Sequence, residues 1–502
     1  MATLSLAAIL AEAAHRHRGR TGLVEGGLRL TFDELWHQAR VQAAALTELG
    51  VAPGDRVALM APNTAEFPRA YYAILAAGGV VVPVHLLLSA AEVEHVLRDS
   101  GATLLLCHPA QAGTGTAAAA AAGVRMLRLG GEFEERARAV RPLPSYVSRD
   151  ADDPAVIFYT SGTTGVPKGA VLSHLNLVMN ATVNAFDAND VRPDDTALGA
   201  LPLFHAFGQT VSMNSTWRAG ATLVLLPRFD ARRAIEVMVA EHVNTFHGVP
   251  TMYDALVSAA QEATELPRLK LCISGGASLP AAVLERFEET FGAKIYEGYG
   301  LSETSPTAAV NQPAFGTRPG TIGHPLWGVE VEIARSDVER RVELLPSGEL
   351  GEVVIRGHNL FSGYLGRPEA TAEAMVDGWF RTGDLGTKDA DGFLRIVDRK
   401  KDVIIRGGYN VYPREVEEVL VRHPGIARVA VVGLPDPRHG EEVCAVVVPA
   451  PGSAPDAAAI IAWSRQHLGR HKYPRRVEFI AELPLGPSMK VLKRELRDRY
   501  AG

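Results

Sequence analysis

Cysteine is scarce: three residues in 502, Cys107, Cys272 and Cys444, stand far apart and form no Cys-x-x-Cys pair. That excludes a disulfide framework and a zinc knuckle and predicts buried, apolar thiols in a reducing, cytoplasmic setting. Positive charge is not in excess. Lys and Arg number 51 against 57 Asp and Glu, a net charge of −6, which leaves no basic footprint for nucleic acid and no polybasic membrane patch. A continuous membrane-length apolar helix is lacking too. The best candidate, residues 70–88, is divided by Gly78, Gly79 and Pro83 and ends beside His85, which predicts a buried helix followed by a strand over 80–84 and no transmembrane segment. At the N-terminus the apolar stretch 4–10 precedes the basic cluster 15–20, the reverse of a secretory leader, and reads as an amphipathic first helix. No repeat of 20–50 residues is present.

What is there is an ordinary globular composition, 47% hydrophobic and 22% charged, which excludes disordered and fibrous classes. At roughly 100–200 residues per domain the length predicts two to four units. Helix and strand patterns alternate: a helix capped by Thr31 and stopped at Gly50, a strand in GDRVALMAPN, helix 65–77, strand 80–84, helix 90–99, strand 103–107, helix 231–241 and strand 244–247. Such alternation predicts parallel sheets covered by helices. The six alanines 117–122 read as a surface helix or a loose loop. From about residue 345 the texture becomes short strands and turns, with a hairpin-like Asp-Gly in DADGFLRIVD, and after a charged run, 399–402, a compact α+β pattern follows. The expected fold is therefore α/β: a large N-terminal domain, 1–397, of βαβ subdomains with a small β-rich region, and a small C-terminal α+β domain, 398–502.

The most informative segment is YTSGTTGVPKG, 159–169, directly after the strand-like AVIFY. It places three glycines, four hydroxyl residues and a lysine in eleven positions. Glycines let backbone N–H groups turn toward an anion, hydroxyls add donors and Lys168 adds charge. It is not a Walker loop, which needs Gly-Lys-Ser/Thr opening a helix; here Pro167 precedes the lysine and strand-like AVLSH follows. By spacing alone the segment is equally a flexible hairpin tip.

Further segments stand in order along the chain: PLFHAFG at 202–208, SGGASLP at 274–280, YEGYGLSET at 296–304, RTGDLG at 381–386, DRKKDVIIRGGYNVYPREVE at 398–417 and PSMKVLKREL at 487–496. Together with the Gly/Thr-rich loop, this ordered set resembles the adenylate-forming superfamily, in its acyl-CoA synthetase and fatty-acid–CoA ligase branch, over nearly the whole chain. The resemblance implies a ligase that activates a carboxylic acid with ATP to an acyl-AMP and then transfers the acyl group to coenzyme A, releasing AMP and pyrophosphate. Charge handling on phosphate oxygens dominates the first step, so positioned donors and Mg²⁺ would supply much of the catalysis.

Residue by residue, the resemblance implies that Thr160, Ser161, Gly162, Thr163, Thr164 and Lys168 hold the ATP phosphates and that Glu303 holds the metal. Tyr299 would stack on adenine beside Gly300, Ser302 would reach the α-phosphate, and Gly275, Gly276 and Ala277 would line the adenine and acyl walls. Asp384 would accept from the ribose hydroxyls, with Arg399 nearby. Lys401 or Asp402 would be the hinge of a mobile C-terminal domain, Gly408 would border the pantetheine tunnel, and Arg406 would meet coenzyme A phosphates. Lys490 would bridge the substrate carboxylate and the α-phosphate. Here the chain departs from the family pattern, with Met489 where glycine is usual, and Lys493 stands close enough to take over the cationic role.

His205 would gate the acyl pocket; outside the resemblance it reads as a packed core histidine. LPLFHAFG offers no carboxylate to pair with a substrate ammonium, and Gly298, before Tyr299, offers no cation for a second carboxylate. The expected partner is thus a small monocarboxylic acid with a fatty or aromatic tail, and GVPTMYDAL and LVLLPRFD look most like fatty-acyl-CoA ligases. Two other readings stay open, an adenylating enzyme that loads a separate acyl carrier protein and a non-catalytic nucleotide-binding descendant. The sequence leaves the oligomeric state unknown.

Overall fold

A computed structural model gives the structure of residues 2–160, 167–485 and 491–501. The chain divides into two compact units, one of Met1–Val331 with Ile355–Phe380 and one of Glu332–Val354 with Arg381–Gly502. Residues 332–354 and 381–397, which the sequence reading groups with the first domain, thus lie in the second unit. No helix among the described residues is long and apolar enough to cross a membrane.

The larger unit is α/β and holds two sheets. The first runs, strand by strand, Gly363–Tyr364, Lys168–Ser173, Pro154–Thr160, Val80–Pro83, Arg56–Met60, Leu104–Cys107 and Arg125–Arg128. Val80–Pro83 and Leu104–Cys107 are buried at every position, which is why they read as unbroken apolar runs: helices cover both faces of a parallel sheet. The second sheet has nine strands, in the order His324–Pro325, Thr307–Val310, Ile295–Gly300, Leu271–Ser274, Thr245–Gly248, Thr196–Gly199, Thr222–Leu225, Thr21–Glu25 and Leu28–Thr31.

Local signals behave as expected. Thr31 caps Phe32–Glu48 in a reciprocal box with Glu34, and Ser89, a cap the sequence reading did not name, does the same for Ala90–Ser100 with Glu92. The 70–88 stretch is the helix Glu66–Ala76, a left-handed Gly78 (φ +80°) and the strand Val80–Pro83. Of the two readings of the alanine run, helix is the one realised, within Ala112–Ala122. Cys107, Cys272 and Cys444 are free and buried, and burial pushes the thiols of Cys107 and Cys444 up to about 11 and about 12.

In the second unit the hairpin expected at DADGFLRIVD joins Trp379–Lys388 to Leu394–Arg399, with Asp389 Oδ1 accepting from the N–H groups of Asp391 (3.0 Å) and Phe393 (2.9 Å). Beyond it the strands Ile404–Arg406, Tyr409–Val411, Ile426–Asp436, Gly440–Pro449 and Arg476–Phe479 form one sheet, accompanied by helices Pro413–Leu420, Ala457–His467 and Lys493–Tyr500.

One core contact of the larger unit is sensitive to pH. The Leu6 N–H donates to His174 Nδ1 at 2.9 Å, which requires an unprotonated nitrogen, and burial together with the Arg149 charge holds His174 down at about 4. The unfolded chain binds a proton on this ring below its ordinary value of 6.5, so stability falls as pH drops from there toward about 4. The loss is expected to reach about 3 kcal/mol. Calorimetric melting from pH 7.5 to 4.5 is expected to give a shallower decline in His174→Asn than in the parent; equal declines would contradict a neutral His174.

Candidate active site

Strands Pro154–Thr160 and Lys168–Ser173 form the antiparallel hairpin that carries the Gly/Thr-rich loop, with Thr160 opposite Lys168. Ser161, Gly162, Thr163 and Thr164 lie outside the described residues. The base of the hairpin is pinned from one side: Tyr159 donates through its hydroxyl to Asp99 Oδ2 (2.8 Å), and Arg367 holds the other oxygen of Asp99 (2.8 Å). Lys168 Nζ stands 5.4 Å from the centre of the Tyr364 ring, and Tyr364 lies on the strand that pairs with Lys168–Ser173.

Tyr364 links that hairpin to the acidic candidate. Its hydroxyl donates to Glu303 Oε1 at 2.9 Å, while the Phe361 N–H donates to the Glu303 carbonyl at 2.9 Å. Glu303 is only 7% exposed, in the short 3₁₀ turn Ser302–Thr304. Burial and the neighbouring Glu303 charge push the phenol well above its usual range, so Tyr364 remains a donor. The second oxygen of Glu303 accepts no hydrogen bond among the described residues. A hard oxygen donor held in place with one lone-pair side open fits Mg²⁺.

Just before this turn lies Ile295–Gly300, with Tyr299 half-buried opposite Ala309. A side chain on Gly300 would overlap the Pro306 carbonyl, so only glycine fits the turn into Ser302. The neighbouring strand Leu271–Ser274 leads into Gly275, Gly276 (φ +80°) and the exposed Ala277. A Cβ on Gly275 would stand 3.1 Å from the Phe207 ring and 3.5 Å from the Gly298 carbonyl. Segments far apart in sequence, PLFHAFG, SGGASLP and YEGYGLSET, therefore meet at one end of the nine-stranded sheet. Half-buried His205 opens the Phe207–Asn214 π-helix, its Nδ1 accepting from the Phe207 N–H at 3.4 Å.

In the second unit Asp384 is 3% exposed and opposite Arg399, whose Nε lies 3.1 Å from Asp384 Oδ1. Lys401 and Asp402 occupy the 3₁₀ turn Lys400–Asp402, with Asp402 accepting from Arg497 at 3.0 Å. Arg406 makes a bidentate pair with Glu442 (2.5 and 2.9 Å), so its guanidinium is engaged within its own unit. Gly407 (φ +58°) and Gly408 (φ +82°) make the exposed turn that follows. Lys490 and Met489 lie outside the described residues. Lys493 is described and is committed elsewhere: its Nζ is 2.8 Å from Glu417 Oε1. Burial pulls Lys493 down, but the carboxylates of Glu417, Asp398 and Asp402 outweigh it and hold the ammonium above its ordinary range.

Two family models match, the AMP-binding enzyme over residues 10–365 and the AMP-binding enzyme C-terminal domain over 415–490. The chain belongs to the AMP-binding enzyme family. It is 41% identical to a feruloyl-CoA synthase from an Amycolatopsis species, with 96% of each chain covered. A long-chain-fatty-acid–CoA ligase of Bacillus subtilis is 35% identical, covering 98% of this chain and 94% of that one. Among solved structures, ATP-bound MatB from Rhodopseudomonas palustris superposes with a TM-score of 0.91 at 32% identity over 99% of both chains. As a member of this family the chain is an AMP-forming acid–thiol ligase: ATP activates a carboxylic acid as its acyl-AMP, and coenzyme A takes the acyl group.

Sequence reasoning missed Tyr364, which joins Lys168 to Glu303 in this AMP-binding enzyme. Its only signal is an aromatic in FSGYLG, 61 positions from the glutamate, and no spacing rule connects the two. It also left Lys493 open as a substitute cation. Removing that ammonium takes one charged partner from the partly buried Glu417, whose Oε1 also accepts from the Val431 N–H at 2.7 Å, and is expected to cost about 1.5–3 kcal/mol. Lys493→Met is expected to lower the denaturant midpoint of the second unit, and Lys493→Met with Glu417→Gln, which removes the charge and keeps an acceptor for the Val431 N–H, to recover most of it. No loss in the single variant would contradict the structural commitment of Lys493.

Proposed function

We propose that Lys168 and Glu303, held together through Tyr364, form the phosphate and metal site of the adenylation step. The observation that carries this is the contact chain from Lys168 to the Tyr364 ring and from its hydroxyl to Glu303, beside the Gly/Thr-rich hairpin. In the step, a carboxylate oxygen attacks the α-phosphorus of ATP, the α–β bridging bond breaks and pyrophosphate leaves. Lys168, with Thr160, Ser161, Gly162, Thr163 and Thr164, steadies the departing phosphates. Mg²⁺, bound through Glu303, would supply positive charge to those oxygens. Tyr299, Gly300, Ser302, Gly275, Gly276 and Ala277 shape the nucleotide and acyl walls, and Asp384 with Arg399 meets the ribose.

The acid is a monocarboxylate with a largely apolar tail, fatty or aromatic, in a chamber gated by His205. Named activities of relatives support both tails, feruloyl in one and long-chain fatty acid in another. Loading of an acyl carrier protein is the less favoured acceptor reading, although a carrier-protein ligase from Streptomyces coeruleorubidus is 37% identical. The buried, protonated thiols support a reducing, cytoplasmic setting.

Residues 398–502 act in both half-reactions by turning about Lys401 and Asp402. Lys490 offsets repulsion between the acid and the α-phosphate during adenylation. It then withdraws so that the thiol, passing Gly408 and guided by Arg406, displaces AMP from the acyl carbonyl.

Lys168→Ala and Glu303→Ala are each expected to slow ATP–pyrophosphate exchange by on the order of 10²–10³, as for loss of one preorganised electrostatic partner. Unchanged exchange in both would remove the phosphate-site reading. Separately, Lys490→Ala is expected to lose acyl-AMP formation yet convert supplied acyl-AMP and coenzyme A to thioester, with Lys401→Pro showing the converse. Equal slowing of both halves in Lys490→Ala, or sparing of both in Lys401→Pro, would contradict the two-orientation mechanism.

A further inference from the structure

The helix Ala90–Ser100 packs against the edge of the seven-stranded sheet that carries the Gly/Thr-rich loop. Its Val93, Val96 and Leu97 share a core with Ile157, and Tyr159, Val171 and Leu365 pack against the same cluster. The helix thus meets Pro154–Thr160, Lys168–Ser173 and the segment that follows Gly363–Tyr364, which stand side by side at that edge. Two polar residues one turn apart on the helix, His95 and Asp99, reach the mouth of the hairpin. His95 Nε2 stands 3.5 Å from the carbonyl of Pro167, the residue before Lys168.

Apolar packing holds the helix on the sheet but has no direction of its own. Asp99 supplies the direction. Its Oδ2 accepts from the hydroxyl of Tyr159, the residue before Thr160, and its Oδ1 accepts from Arg367, three residues beyond Tyr364. Tyr159 lies on one neighbour of the strand Lys168–Ser173, and Arg367 lies just past the other. One carboxylate therefore spans the strand that begins with the lysine. The Asp99 side chain is only 12% exposed, a place where a carboxylate is costly unless each oxygen is engaged. Hydrogen bonds to a charged group are short and strong, so they set the spacing of what they join. Glycine loses more conformational freedom than any other residue when it is fixed, so a loop with Gly162 and Gly165 gains from ends already in place.

We propose that Asp99 is a positioning residue for the β- and γ-phosphates of ATP: it fixes both flanks of the Lys168 strand, while His95 steadies the exit of the loop at Pro167. This rests on the reading of Lys168 and the Gly/Thr-rich loop as the phosphate site and adds the residues that aim it. AMP lacks the two phosphates in question. Misplacement of the loop alone weakens ATP and spares AMP, whereas general damage to the fold weakens both.

Equilibrium dialysis of radiolabelled ATP with Mg²⁺, and of radiolabelled AMP, against the full chain tests this. Asp99→Ala is expected to weaken ATP binding by about tenfold or more and to leave AMP binding as in the parent. Asp99→Asn, which spans the same two partners through Oδ1 and Nδ2, is expected to recover most of the loss; no recovery would contradict a role set by geometry. Should Asp99→Ala not fold, Arg367→Met, at the more exposed end of the ion pair, is expected to move the ratio of ATP to AMP affinity in the same direction. Equal weakening of ATP and AMP, or unchanged ATP binding in whichever variants fold, would overturn the inference and leave the phosphate site standing. Undiminished ATP binding in Lys168→Ala would instead defeat the phosphate-site reading, and this inference with it.

Discussion

The hydrogen bond from the hydroxyl of Tyr364 to Glu303, with the neighbouring bond from the Phe361 N–H to the Glu303 carbonyl, ties the two sheets of the larger unit together. Tyr364 sits on the outermost strand of the seven-stranded sheet, against Lys168–Ser173, and Glu303 sits in the turn that ends a strand of the nine-stranded sheet. On either side of that bond stand the residues proposed for adenylation: the hairpin with Lys168 on one side, and Tyr299, Gly300 and Ser302 on the other. A buried carboxylate is costly unless it is hydrogen-bonded or paired, and a protonated phenol offers a partner that leaves the negative charge in place. The arrangement therefore keeps an anionic oxygen beside a cationic lysine without spending either on the other.

The glycines serve the same end. Gly275 yields its side-chain space to Phe207, and Gly300 yields its own to the Pro306 carbonyl, so three segments dispersed over about a hundred residues close on one another. In the second unit the opposite economy holds. Arg406, Lys493 and Arg399 are each paired with a carboxylate of their own unit, Glu442, Glu417 and Asp384. A conformational role for Arg399 or Arg406 toward a ligand has to exchange those bonds, a step that fits a unit working in more than one state.

Much of this was legible in the sequence, for physical reasons that differ by element. Thr31 announces a helix because a cap is a local hydrogen bond, and VVVP and LLLC announce parallel strands because burial on both faces removes alternation. Ordered motifs announced the ligase because each bears its own chemistry. Tyr364 was not legible, since a tyrosine's partner across a sheet edge leaves no trace in spacing. Nor was the involvement of Lys493 with Glu417, because charge alone does not distinguish an ion pair from a catalytic cation.

The Mg²⁺ dependence of ATP–pyrophosphate exchange in Tyr364→Phe, compared with the parent enzyme, tests most directly whether Tyr364 organises the metal site. Loss of a residue that orients a metal ligand typically costs about 10–100-fold in metal affinity or activity. The account predicts a half-saturating Mg²⁺ concentration raised by about tenfold or more, with much of the maximal rate recovered at high Mg²⁺. An unchanged Mg²⁺ dependence in a folded Tyr364→Phe enzyme would contradict it.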